Sequence, residues 1–72
     1  MSLQNRLKEI RLAHSMTQEM LAKRVGVTRQ TIIAIEKGHF IPSVRLALEL
    51  ASTLGVRLEE LFWLENEKGA VQ

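Results

Sequence analysis

The sequence predicts an all-α domain of five short helices. Three observations carry that expectation: apolar residues recur at helical spacing, Ser or Thr opens successive segments while Gly closes them, and the single Pro falls between segments. Segment 3–13 places Leu3, Leu7 and Ile10 at i, i+4 and i+7 among charged residues, although Met1–Asn5 supplies no strong cap. Thr17 offers a capping oxygen to segment 18–25, with acceptors and negative charge in its first turn at Gln18 and Glu19. Met20, Leu21 and Val25 form its apolar stripe, and Gly26 closes it in the left-handed conformation. Thr28 then caps segment 29–37, which turns Ile32 and Ile35 inward and stops at Gly38. Pro42 cannot continue a helix, so the chain is extended there until Ser43 caps segment 44–54. Leu46, Leu50 and Leu54, or alternatively Ala47 and Ala51, form the inward face of that helix, which Gly55 ends. Leu58, Leu61 and Phe62 indicate a fifth helix over 58–63. The expected domain is 1–66, followed by a polar tail, 67–72.

Composition narrows the chemistry. Seventy-two residues suit one compact unit, which buries only about 60% of its unfolded surface and is thinly stable. The chain has no Cys, Asp or Tyr and only two His, His14 and His39. Disulfides and zinc-thiolate sites are therefore excluded, and no nucleophile–base pair falls at a convincing spacing. No apolar run approaches the ~18 residues of a membrane span, and no signal-peptide pattern opens the chain. A soluble, cytoplasmic, non-enzymatic domain is expected, with no cofactor and no metal. The formal charge of +2 conceals an asymmetry. Residues 1–45 hold eight Lys or Arg against three Glu, whereas 46–72 hold two against five. One surface facing a polyanion and another turned elsewhere would produce this division, as would ordinary solvated charge.

Segments 18–25 and 29–37, joined across a few residues containing Gly, form a helix-turn-helix pattern. The run from Met16 through Thr17-Gln18-Glu19, Ala22 and Gly26 to Thr28-Arg29-Gln30-Thr31-Ile32 resembles the helix-turn-helix of the phage repressor and Cro family. Ile35-Glu36-Lys37-Gly38, Pro42-Ser43 and Leu50-Ala51-Ser52-Thr53-Leu54-Gly55-Val56 match at the same spacing, so the resemblance covers about residues 4–64. It is strongest toward short, stand-alone dimeric repressors. It implies a lambda-repressor-like five-helix domain whose partner is double-stranded DNA, and implies no small-molecule ligand.

A major groove about 12 Å wide admits one helix, so the third helix would present Arg29, Gln30 and Thr31, with Ile33 and Ala34 beside them, to base edges. Arg pairs bidentately with guanine and Gln with adenine. Ile33 either meets a thymine methyl or packs on the loop near Phe40. Helix starts and nearby cations are the expected phosphate contacts: Thr17, Thr28, Ser43 and Arg45, with Lys37 and His39 after the reading helix. The resemblance implies that Gln18 contacts a phosphate and braces Gln30. It also implies a structural ion pair between Arg11 and Glu36.

A lone reading helix binds weakly, and a two-fold pair reads two half-sites, so a homodimer is expected. Trp63 or Leu64 faces outward on either a helix or a strand and marks the interface. In short relatives the segment after the fifth helix can form a small antiparallel strand pair at the dimer interface, and Phe62–Asn66 is the segment that could do so here, with the N-terminal segment as a candidate partner. The leading functional expectation is a sequence-specific regulator acting as a repressor at a near-palindromic operator. Two alternatives stand beside it: the antitoxin of a toxin–antitoxin pair, and a protein–protein adaptor that has lost DNA binding. The basic reading face argues against the adaptor.

Overall fold

The computed structural model describes residues 1–66, in which five helices are closed by a two-stranded antiparallel sheet. In chain order these are β1 (Ser2–Asn5), α1 (Leu7–Ala13), α2 (Gln18–Val25), α3 (Arg29–Glu36), α4 (Val44–Leu54), α5 (Leu58–Leu61) and β2 (Phe62–Glu65). The expected polar tail, 67–72, lies outside the described residues.

Capping sets most of these boundaries. Thr17 Oγ1 accepts from the Met20 N–H at 3.0 Å, Thr28 Oγ1 from Thr31 at 3.3 Å and Ser43 Oγ from Leu46 at 3.1 Å. Each hydroxyl satisfies a first-turn donor that its helix cannot. Gly26 ends α2 at φ 74°, and a Cβ built on it would meet nothing within 4 Å. Its role is therefore the left-handed backbone and not spare room between helices.

The strand pair offered for Phe62–Asn66 and the N-terminal segment is present within the one chain, and it shortens both ends of the expected helical array. Residues 3–13 do not form one helix: Ser2–Asn5 is a strand and α1 starts at Leu7. The i, i+4 spacing of Leu3 and Leu7 fitted a helix, but Leu3 pairs with Leu64 across the sheet, in the register Ser2↔Glu65, Gln4↔Trp63 and Asn5↔Phe62. Asn5 makes the change of direction, its Oδ1 accepting from the Leu7 N–H at 3.0 Å. The fifth helix stops at Leu61, short of the expected 63, because Phe62 turns extended (φ −131°, ψ 141°) and joins the ladder. Its start is secured by Glu60, whose Oε1 accepts from the Arg57 N–H at 2.7 Å. The third helix ends at Glu36, with Lys37 as its C-cap in place of its last residue.

The core is drawn from every helix. Leu7, Leu21, Ile32, Ile35, Leu50, Leu54 and Leu61 are fully buried, and Ala22, Val25, Leu46, Ala47 and Ala51 close around them. Both candidate faces of α4 are thus inward, since the helix packs on α2 and on α5 at once. Met20, expected on the inward stripe of α2, is exposed, and Met16 in the preceding turn is buried instead. Arg11 is the one charged residue among those described that is buried as a whole residue.

Candidate nucleic-acid interface

α3 sorts its side chains by depth. Ile32 and Ile35 go into the core, while Arg29 and Gln30 are exposed and Thr31, Ile33 and Ala34 half-buried beside them. The N-terminal turn of α3 therefore carries a fork-shaped cation, an amide and a hydroxyl on one accessible surface. Thr31 Oγ1 lies 3.1 Å from Thr28 Oγ1, which orients the hydroxyl at the start of that turn.

The angle between α2 and α3 is secured by a buried polar cluster. Arg11 Nε donates to Glu36 Oε2 at 2.6 Å and Nη2 to Oε1 at 3.3 Å, with side chains only 6% and 5% exposed. Arg11 Nη1 also donates to the Met16 carbonyl at 2.8 Å. Fork geometry and the short 2.6 Å contact mark the strong class of charge-assisted bond. Gln18, the first residue of α2, donates from Nε2 to Glu36 Oε1 at 3.1 Å. Among the described residues its side chain bonds Glu36 and makes no hydrogen bond to Gln30.

The expected phosphate contacts are spread around α3. Thr17, Thr28 and Ser43 each cap a helix with an oxygen lone pair, which leaves the O–H of Thr17 and Ser43 free to donate outward. Lys37 and His39 are exposed past the end of α3, where the His39 backbone N–H bonds the Ala34 carbonyl at 2.9 Å. The Arg45 side chain is 88% exposed and lies 3.5 Å from Glu49 one turn on. Sequence reasoning missed what stands across from it. Lys23 and Arg24, in the last turn of α2, line with Ser43, Arg45 and Glu49 an open cleft of about 610 Å³. The charge run was visible in the chain, but its pairing with α4 requires the α2–α4 packing.

Asn5 was missed too. Its Nδ2 donates to the Ile35 carbonyl at 3.0 Å, tying β1 to the last turn of α3. Away from these groups, Trp63 is half-buried with the Arg6 guanidinium 4.9 Å over its ring, a cation–π arrangement. Leu64, beside it, is 63% exposed. Trp63 and Leu64 line a largely apolar groove of about 330 Å³ with Leu3, Ile41, Val44 and Leu58, among which Ile41 and Val44 are also exposed.

Two capped helices crossing at a left-handed Gly, with an exposed polar turn opening the second, define a helix-turn-helix DNA-binding domain of the Cro and phage-repressor type. The family model described as "Helix-turn-helix" matches residues 7–61, and the chain belongs to that family. It is 50% identical over 66 residues to an HTH-type transcriptional regulator of Methanocaldococcus jannaschii, covering 92% of this chain and 100% of that one. A Bacillus subtilis HTH-type transcriptional regulator is 46% identical over 65 residues, covering 90% and 98%. The cryptic phage CTXphi transcriptional repressor RstR of Vibrio cholerae is 32% identical over 57 residues, covering 79% and 51%. Among solved structures, the restriction-modification controller protein C.AhdI from Aeromonas hydrophila superposes at TM-score 0.70 with 33% identity, covering 75% of this chain and 78% of that one. The protein is thus a DNA-binding transcription regulator, in a family of regulators and not of enzymes. No helix among the described residues is long and apolar enough to cross a membrane.

Proposed function

We propose that this regulator is a repressor that occupies a near-palindromic operator as a homodimer, each copy laying the start of α3 in a major groove. The observation that carries the reading is the sorting of α3, with Arg29 and Gln30 exposed on its first turn and Ile32 and Ile35 buried behind them. Arg29 pairs with guanine O6 and N7 and Gln30 with adenine N6 and N7, while Thr31, Ile33 and Ala34 meet neighbouring base edges and a thymine methyl. Lys37, His39 and Arg45, joined by Gln18 and the hydroxyls of Thr17, Thr28 and Ser43, hold phosphates and set the register. The cleft of Lys23, Arg24 and Arg45 extends that positive surface. Repression is supported by likeness to a phage repressor of that name.

Self-association is supported by the apolar groove at the sheet. Trp63 and Leu64, with exposed Ile41 and Val44 alongside, form a patch whose burial against its own two-fold image would remove it from water. The test is selection of bound duplexes from a random pool, with affinity then measured against salt. A two-fold reader enriches an inverted repeat with half-site centres about 34 Å apart and a steep negative salt slope. No enrichment would refute the reading.

A further inference from the structure

We infer that Glu36 is a positioning residue for the DNA backbone contact: by fixing the Gln18 amide from inside the protein, it aims the outer face of that amide at a phosphate. The inference rests on the operator-binding reading above, and deepens it at one contact.

Gln18 stands at the first position of α2, half-exposed, and its own Nε2 is 3.1 Å from Glu36 Oε1. A glutamine amide nitrogen carries two hydrogens in one rigid plane. Committing one hydrogen to a fixed acceptor therefore sets the direction of the other. A free glutamine, with three rotatable side-chain bonds, would lose rotamer entropy on being ordered. Anchored beforehand, it brings most of that ordering to the DNA already complete.

The anchor is itself immobile. Glu36 is gripped at both oxygens by Arg11, whose remaining Nη1 holds the Met16 carbonyl, one residue before the Thr17 cap of α2. The three side chains thus connect the end of α3, the last turn of α1 and the start of α2. Charge adds a second reason for the arrangement. A lone carboxylate behind a phosphate contact would repel the DNA, whereas Glu36 with Arg11 forms a neutral pair. Gln18 reaches a negatively charged anchor without presenting that charge outward.

The test separates this role from plain stability by using two charge-free pairs. Arg11→Met with Glu36→Leu removes the acceptor of Gln18, while Arg11→Met with Glu36→Gln keeps an amide oxygen in its place. Replacing a buried ion pair by apolar groups of similar volume is often neutral for folding, and circular dichroism fixes a temperature at which both variants are folded. Affinity is then read by fluorescence anisotropy on the duplex that the native protein selects from a random pool. The Leu pair is expected to bind about three- to tenfold more weakly, the scale of ordering one rotamer-rich side chain at an interface. Its salt slope should match the native one, because no cation has left a phosphate. The Gln pair should recover the native affinity. Gln18→Ala should cause the same loss alone and no further loss in the Leu pair. In the free protein, one Gln18 side-chain amide proton should resonate and exchange apart from its twin, and this signature should vanish in the Leu pair. A folded Leu pair that binds as tightly as the native protein would overturn the inference alone, as would additive losses. A native protein that selects no duplex would overturn the operator reading, and this inference with it.

Discussion

Replacing Glu36 by Gln deletes one charge and leaves the shape of the side chain. Arg11 then keeps a single strong partner, the Met16 carbonyl at 2.8 Å, while its side chain, only 6% exposed, stays in a site built for a carboxylate. Breaking a buried pair from one side costs about 3–5 kcal/mol, because the surviving charge is desolvated without compensation. Gln retains an acceptor oxygen, so the lower end applies, about 3 kcal/mol. A chain of this length has roughly 4–11 kcal/mol in total, so the loss is a large fraction of it. Converted through the unfolding entropy of a domain this small, it is a fall in Tm of roughly 12–24 °C. A thermal melt followed by circular dichroism reads it directly. The exposed Arg45–Glu49 pair is the internal control: Arg45→Ala should cost no more than about 0.5 kcal/mol, since solvent already screens both groups. Equal midpoints for native protein and Glu36→Gln would refute the argument, since an undisturbed melt means that the Arg11 charge was never stranded.

Other perturbations separate the surfaces. Arg29→Ala should relax preference at one base pair at a cost of about 1–3 kcal/mol, whereas Lys37→Ala should weaken all sequences alike and reduce the salt slope by about one; comparative binding to single-base operator variants distinguishes them. Leu64→Glu places a charge on a residue already 63% exposed, so the protein should stay folded yet sediment as a monomer with much weaker operator binding. Trp63→Glu should do the same and also lose its stacking with Arg6, worth about 0.5–1 kcal/mol; a variant of either kind that still sediments as a dimer would remove the sheet from the interface. Gly26→Ala should cost about 1 kcal/mol in chemical denaturation, from the left-handed backbone alone, with affinity for DNA preserved below the transition.

What could be read from the chain followed the range of the forces involved. Caps at Thr17, Thr28 and Ser43 and stops at Gly26 and Gly55 act within a turn, and each stands where local chemistry placed it. The depth of Arg29 and Gln30 against Ile32 and Ile35 also follows from helical periodicity. The first strand was legible only through the resemblance, which offered the N-terminal segment as a partner for Phe62–Asn66; the residues themselves read as helix, because Leu3 has helical spacing to Leu7 and its actual partner, Leu64, lies at the opposite end of the described chain. Phe62 and Trp63 carried the better hint, being aromatic residues suited to a pleated surface at the end of a very short helix. The Gln18–Glu36 bond was hidden for a similar reason. Family resemblance pointed Gln18 toward Gln30, but the crossing of α2 and α3 brings its amide to Glu36. Asn5 looked like an ordinary polar residue, and only the packed fold reveals that it joins a strand to the end of α3.

The strand pair also has a bearing on how the molecule comes apart. Every hydrogen bond of the helices closes over a few residues, whereas the ladder from Ser2↔Glu65 to Asn5↔Phe62 must close almost the whole described chain as one loop. Such a contact is expected to form late in folding and to open ahead of the part of the core built on Leu21, Ile32 and Leu50. Trp63 and its Arg6 partner sit on that seam. Warming should therefore peel away the ribbon while the crossed pair α2–α3 is still intact, leaving for an interval a solitary reader that has already lost the surface proposed to find its twin.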